Sequence, residues 1–98
     1  MRRAWTSLIA LVALSGCGPT LYLVNISGAA SSVEEAREVG APTQAPYEYY
    51  LAESHLEKAR EEAAEANYQD AIRFANVAEE NAVKARDLAR RHMRETGR

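Results

Sequence analysis

Alanines recur every three or four residues along the second half of the chain, and this spacing constrains the fold more than any other feature. The ladder comprises Ala71, Ala75, Ala78, Ala82, Ala85 and Ala89. An earlier ladder with the same kind of spacing comprises Tyr49, Ala52, Leu56, Ala59, Ala63 and Ala66. Alternating steps of three and four are the a and d positions of a coiled-coil heptad, so each ladder lies on one face of a helix. The sequence therefore predicts an all-α fold.

Only a short link separates the two ladders, namely residues 67–70. We therefore predict an antiparallel helical hairpin, with helices over residues 46–66 and 68–94 and Asn67 in the left-handed conformation that ends the first helix. Its seam is mostly alanine, with Ala66 expected opposite Ala71. Small residues on both sides allow the two axes to lie close together, so the expected shape is a slender rod.

The first sixteen residues have the pattern of an export signal. Arg2 and Arg3 precede an apolar stretch from Ala4 to Leu14, which is the order of regions in a signal peptide. Leu14, Ser15, Gly16 and Cys17 follow, and they resemble the lipobox of bacterial lipoproteins. We predict a signal peptide over residues 1–16 and a diacylglycerol, with acyl chains such as palmitate, on Cys17.

An uncleaved membrane anchor is the alternative, because no charged residue occurs between Ala4 and Val33. A spanning helix needs about 20 continuous apolar residues, however, and Gly18 and Pro19 interrupt this run. Gly18 also replaces the Asp that commonly retains lipoproteins in the inner membrane. Resemblance to that sorting pattern implies the periplasmic face of the outer membrane.

Residues 17–26 are interpreted as a lipidated tether. Within them, Thr20 to Ile26 either lie on the membrane surface or start the first helix. A short helix is predicted over residues 27–39, with Gly40 as its C-terminal stop. Residues 41–46 form a linker containing two prolines. Pro46 suits the first turn of the next helix. The helical domain thus spans residues 27–98. Its apolar core is thin, so we expect that the chain associates with itself or with a partner.

Charge is distributed unevenly around a net charge of -2. Twelve acidic and four basic residues lie between Glu34 and Glu80, whereas six basic and two acidic residues follow. Acidic residues early in a helix and basic residues late in a helix suit its dipole. The basic end also suits contact with lipid phosphate or an acidic polymer, and both interpretations stay open.

Five residues are expected at the open end of the hairpin: Tyr47, Tyr49, Tyr50, Arg90 and Arg91. They either close that end by stacking or form a binding patch for an envelope protein or for peptidoglycan, a sugar polymer with carboxylates.

No reaction is specified by the sequence. Helical carboxylate metal sites use Glu-x-x-His pairs, but Ala52 precedes His55 by three residues and Ala89 precedes His92 in the same way. The chain has no nucleophile with its His and Asp partners and no Gly-rich phosphate loop. We therefore expect no enzyme activity, cofactor or metal, and the acidic composition argues against nucleic acid as a partner.

From Ser27 onward the chain resembles an alanine-rich domain of unknown function found in lipoproteins of Gram-negative bacteria. The resemblance is carried by Gly40-Ala41, Ala45-Pro46, the Ala52-x-x-x-Leu56-x-x-Ala59 ladder, the Asn67-Tyr68-x-x-Ala71 turn and the alanine helix after it. That domain often precedes an OmpA-like peptidoglycan-binding domain, which implies a role in the cell envelope. No such domain follows in this sequence, so the resemblance does not carry peptidoglycan binding over to it. We expect a structural or adaptor element.

Overall fold

The computed structural model describes residues 17–97, and the predicted signal peptide lies outside them. Four α-helices occur in this part of the chain: α1 (Cys17–Glu38), α2 (Ala41–Gln44), α3 (Pro46–Ala64) and α4 (Tyr68–Thr96). No strand is present among the described residues. The predicted all-α fold, with two long packed helices, is confirmed.

Helix α1 is longer than the sequence indicated. It begins at Cys17 and runs for 22 residues, so residues 17–26, interpreted as a tether, are helical. Gly18 and Pro19 do not prevent this, because Pro19 lies in the first turn, where a backbone N–H has no partner within the helix. The predicted start at residue 27 was therefore wrong, whereas the predicted end at residue 39 lies one residue beyond Glu38.

The connection from α1 to α3 is a compact double turn rather than an open linker. Gly40 adopts φ 85°, in the left-handed region. Its carbonyl accepts the backbone N–H of Gln44 at 2.9 Å, and Ala45 donates to the carbonyl of Ala41 at 2.8 Å. These bonds hold the single turn of α2 between the two longer helices, and α3 begins at Pro46, as predicted.

Helix α3 ends in a Schellman motif. The N–H of Asn67 donates to the carbonyl of Glu62 at 2.9 Å, and the N–H of Ala66 donates to Ala63 at 3.0 Å, which is the hydrogen-bond pattern of that motif. Ala66 is the left-handed residue, with φ 63°, whereas Asn67 has φ -86°. The prediction for Asn67 was therefore wrong by one position. The Asn67 side chain instead donates to the Glu62 carboxylate at 3.0 Å.

Helix α4 packs between α1 and α3, which contact each other less extensively. Helix α1 runs parallel to α4, and three neighbouring pairs fix that direction: Gly18 with Tyr68, Gly28 with Glu79, and Glu35 with Arg86. Helix α3 returns antiparallel to α4, with the His55 and Phe74 rings 5.9 Å apart. The architecture is an antiparallel hairpin with a third long helix along it.

The alanine ladder of α4 is the centre of the core, and all six of its members are fully buried. Ala29, Val33 and Ala36 of α1 join the same cluster as the first four members of the α3 ladder, Tyr49, Ala52, Leu56 and Ala59. The last two members of that earlier ladder differ from the prediction. Ala63 is half-buried, and Ala66 is exposed in the turn, so Ala66 does not face Ala71 across the seam.

Candidate functional site

The candidate binding residues at the start of α3 divide into two exposed rings and one buried ring. Tyr47 and Tyr50 are 74% and 55% exposed. Together with Pro46, Leu51 and Ser54 they line a shallow surface depression of about 450 Å³. These two tyrosines therefore present apolar ring surface to solvent at the far end of the hairpin from its turn.

Tyr49 belongs to the core and not to this surface. Its side chain is 6% exposed, and its ring lies edge-on to that of Tyr50 with centroids 5.1 Å apart. Burial raises the pKa of the Tyr49 phenol, and the neighbouring Glu53 carboxylate raises it further. Tyr49 therefore supports Tyr50 from beneath and is not available as a contact residue.

Arg90 and Arg91 lie at the same end of the molecule as the tyrosines. The residue after them, His92, holds this part of α4 against α2 through a 2.8 Å hydrogen bond between Nδ1 and the carbonyl oxygen of Gln44. Both arginines are exposed, and neither forms an ion pair with another residue of the described range. Within that range no ring stacks on them, so the predicted group shares one end of the rod without forming one packed cluster.

The opposite end of the rod combines the start of α1 with the α3–α4 turn. The rings of Tyr22 and Tyr68 lie 6.1 Å apart, so the first turns of α1 pack beside the first turn of α4. A cleft of about 550 Å³ opens here. Its lining residues come from α1, the turn and α4: Gly18, Leu21, Ala66, Asn67, Tyr68, Gln69, Asp70 and Ile72.

Three large apolar side chains are exposed at this end: Leu21 (57%), Leu23 (61%) and Val24 (68%). We call these three residues the N-terminal apolar patch. The sequence reasoning missed it because the segment was interpreted as a tether. The signal that would have revealed it is the uncharged run that continues through Val33, combined with a helical reading of residues 17–26.

A groove of about 450 Å³ lies between α3 and α4. Its titratable residues are His55, Glu62, Asp70 and Arg73. His55 Nδ1 lies 2.9 Å from the carbonyl oxygen of Leu51, and Arg73 pairs with Asp70 on the surface. No group of three His, Cys, Asp or Glu side chains in the described range lies close enough to hold a metal ion. The groove therefore lies where the surfaces of α3 and α4 meet, and each of these surfaces carries ion pairs of its own.

The remaining charges mostly pair along exposed helix faces. Arg37 lowers the pKa of Glu34, chiefly through a hydrogen bond, and Glu62 and Glu61 raise the pKa of Lys58 in the same way. Arg86 is an exception, because it reaches Glu35 on α1 at 3.1 Å. Exposed pairs of this kind contribute little to stability because water and salt screen them, so they do not indicate a functional site.

The helices of residues 17–97 are too short or too polar to span a bilayer. No curated protein and no solved structure matches the chain. The sequence does match one protein family, described as a domain of unknown function (DUF4398), over residues 24–96. This range includes most of α1 and all of α2, α3 and α4. The chain therefore belongs to the DUF4398 family.

Proposed function

We propose that this protein is a lipid-anchored, non-catalytic structural or adaptor element on the periplasmic face of the bacterial outer membrane. The observation that supports this proposal most directly is the Leu14-Ser15-Gly16-Cys17 motif immediately before a long helical rod. A thiol at that position is the group that a diacylglycerol transferase alkylates. Because α1 begins at Cys17, the anchor would join the packed helices without an intervening flexible segment.

Two further features favour a role of this kind. The core is built from small side chains along the whole length of α4, which suits an extended, stiff shape. Twelve charged residues of the described range take part in surface ion pairs, and none of that range's side-chain polar atoms is both buried and unpaired. The outer-membrane assignment rests on Gly18, which follows the cysteine where inner-membrane lipoproteins commonly have Asp.

The anchor is tested by metabolic labelling with radioactive palmitate and glycerol, followed by membrane fractionation. The native chain is expected to carry both labels and to sediment with the outer membrane, whereas Cys17→Ser loses both labels. A Cys17→Ser/Ser27→Cys double variant is the matched control, because it keeps one thiol but places it within α1. Labelling of Cys17→Ser, or equal labelling of the double variant and the native chain, would exclude the proposed anchor.

A binding module of the envelope is the second candidate, favoured by the exposure of Tyr47 and Tyr50 at the same end of the rod as Arg90 and Arg91, which form no ion pair within residues 17–97. Aromatic faces and arginines together suit a polymer of sugars and carboxylates such as peptidoglycan, or an acidic protein partner. Tyr49 is left out of this set because replacing a buried ring would disturb the fold.

Sedimentation with purified cell-wall sacculi separates the two candidates. A variant with alanine at all four exposed positions is compared with the native chain and with Arg60→Ala/Arg73→Ala, which removes two exposed arginines from the middle of the rod and near its turn. Loss of sedimentation in the first variant alone supports the binding module. Equal recovery of all three chains supports the structural role.

A further inference from the structure

The N-terminal apolar patch covers most of the exposed side of α1 and is wider than a single stripe along the helix. With 100° between successive residues, Leu23, Val24 and Leu21 cover an arc of about 160°. The opposite side of the same turns carries the residues that face the bundle, including the Tyr22 ring beside Tyr68. A partner helix covers a narrower face of its neighbour. A surrounding apolar medium covers the whole exposed half, which fits this distribution.

The patch is confined to the first two turns of α1. From Cys17 to Val24 a helix rises about 10 Å, which matches the depth of 5 to 10 Å to which apolar side chains enter the headgroup and acyl boundary of a bilayer. No charged residue occurs from Cys17 to Val33.

The packing of the helices fixes which other parts of the protein share this end. Because α1 is parallel to α4 and Gly18 lies against Tyr68, the α3–α4 turn is level with the first turn of α1. His92 joins α2 at the opposite end. The 24 residue steps of α4 from Tyr68 to His92 separate the two ends by about 36 Å.

We propose that the first two turns of α1 are seated in the surface of the lipid bilayer, so that the rod stands with its α3–α4 turn at the membrane. This inference rests on the proposed membrane attachment at Cys17 and adds the orientation of the protein. The Tyr47 and Arg90 end then points away from the lipid, about 36 Å further out. The candidate contact residues are held at a fixed distance from the membrane.

The charges near the patch specify the lipid chemistry. Three carboxylates lie near the α3–α4 turn: Glu65, which is exposed, and Glu62 and Asp70, which are half-buried. A nearby cation, Arg73, forms an ion pair with Asp70. Carboxylates at this end disfavour anionic headgroups, so seating depends on apolar contact and not on charge attraction. Binding to zwitterionic lipid with weak dependence on salt is therefore expected.

The orientation is tested by tryptophan fluorescence in the chain expressed with its signal segment. The only native tryptophan, Trp5, lies in the predicted signal peptide, and Trp5→Phe removes it from any molecule in which that segment is not cleaved. A new tryptophan is placed at Leu23, at Val24 or at Tyr47, each of which is exposed. The purified chains are reconstituted into phosphatidylcholine vesicles with brominated acyl chains, which quench tryptophan at the depth of the bromine. Leu23→Trp and Val24→Trp are expected to lose most of their emission and to shift to shorter wavelength, whereas Tyr47→Trp keeps its full emission.

Mass spectrometry of the same samples separates failure of this inference from failure of the anchor. A diacylated Cys17 with unquenched tryptophan at both 23 and 24 would show that the anchor exists but that the patch does not touch lipid. Quenching at 47 equal to that at 23 would mean that the rod lies flat, which also overturns the proposal. Quenching at 23 and 24 in a chain with unmodified Cys17 supports the orientation and excludes the lipid anchor.

A second copy of the chain is the competing occupant of the patch. In that case the emission of the tryptophan at 23 shifts to shorter wavelength in detergent without brominated lipid, and it is not quenched in the brominated vesicles. The chain also sediments as a dimer. That set of results would overturn the membrane assignment. A requirement for anionic lipid, with release at high salt, would refute the apolar mode of seating.

Discussion

Replacing one alanine in the centre of α4 by leucine tests the packing on which the whole architecture depends. Ala82 has no exposed surface, and it lies in a core cluster to which α1, α3 and α4 all contribute. Leucine adds three carbon atoms to a position that is closed on both sides. The new atoms therefore have to displace α1 or α3 from α4.

The expected loss of stability follows from two opposing effects. Full burial of three more carbons would stabilise the fold by about 2.4 kcal/mol if space existed for them. Where the space is missing, off-rotamer side chains and displaced backbone reverse that gain, and overpacked cores lose about 1 to 3 kcal/mol net. For a domain of this size, 1 kcal/mol changes the melting temperature by about 4 to 8 °C. Ala82→Leu should therefore melt about 5 to 20 °C below the native chain.

Thermal and urea unfolding, followed by circular dichroism of the helical signal, measures this effect. Ala64→Leu is the matched control, because it makes the same chemical change at an exposed position of α3 and should stay within about 0.5 kcal/mol of the native chain. Ala78→Leu repeats the test one step earlier on the ladder and should behave like Ala82→Leu. If both core variants unfold within about 0.5 kcal/mol of the native chain, the alanines do not set the spacing of the helices.

Three smaller changes test the local geometry and the pH dependence. Gly40→Ala should lower the free energy of unfolding by about 1 to 2 kcal/mol because Gly40 has φ 85°. Gly28→Ala should instead raise that free energy by about 0.5 to 1 kcal/mol, because a Cβ at Gly28 meets the Glu79 side chain at 3.5 Å, an ordinary contact distance. Equal effects of the two substitutions in urea titrations would contradict this difference. Ala66→Gly should raise that free energy by about 0.5 kcal/mol by relieving φ 63°, and a loss would refute the strain. Because burial raises the pKa of Tyr49, its contribution is complete below about pH 10 and is lost as the pH rises through the raised pKa. Tyr49→Phe should therefore lose less stability than the native chain between pH 9 and 11, and parallel pH profiles would show that Tyr49 is not the group responsible.

The parts of the fold that the sequence predicted well are those with long, regular spacing. The ladder of α4 contains six alanines at steps of three and four, and all six are buried. Regular spacing over many turns leaves few other ways to pack the helix, because a helix that buried any other face would expose the whole ladder to solvent. The end of α3 was less certain, since its last members fall in the turn, where hydrogen bonding and not periodicity decides the conformation.

Helix α1 was predicted poorly because its first ten residues have no helical periodicity of polar and apolar side chains. Leu21, Leu23 and Val24 are exposed although they are large and apolar, so the usual pattern that marks a helix in water is missing. Pro19 added to the difficulty, since proline after glycine suggests a break unless the helix start is known. As a result the sequence indicated two long helices and a short one over residues 27–39, and the structure extends the short one to Cys17.

The three candidate tyrosines show that heptad position predicts the exposure of a side chain better than membership of an aromatic group does. Tyr49 was placed both on the ladder and in the exposed aromatic group, and these two assignments cannot both hold for one side chain. Its burial follows the ladder, whereas Tyr47 and Tyr50 fall outside it and are exposed. Periodicity is therefore the better guide to which aromatic residues face solvent. Whether the exposed pair binds a ligand depends on chemistry that the spacing does not encode.

The position of α4 between two helices explains why its buried face is alanine along its whole length. A helix that packs closely against two neighbours needs small side chains over a broad face, because a large one would push one of the two away. The ladder is consequently occupied within the chain, and it offers no surface to a further partner. Any association of this protein has to use its exposed groups. Most of the exposed large apolar side chains of residues 17–97 lie near the two ends of α4: the N-terminal apolar patch at one end, and Tyr47, Tyr50 and Met93 at the other. A protein built in this way can contact two different surroundings at once while a stiff core keeps them apart.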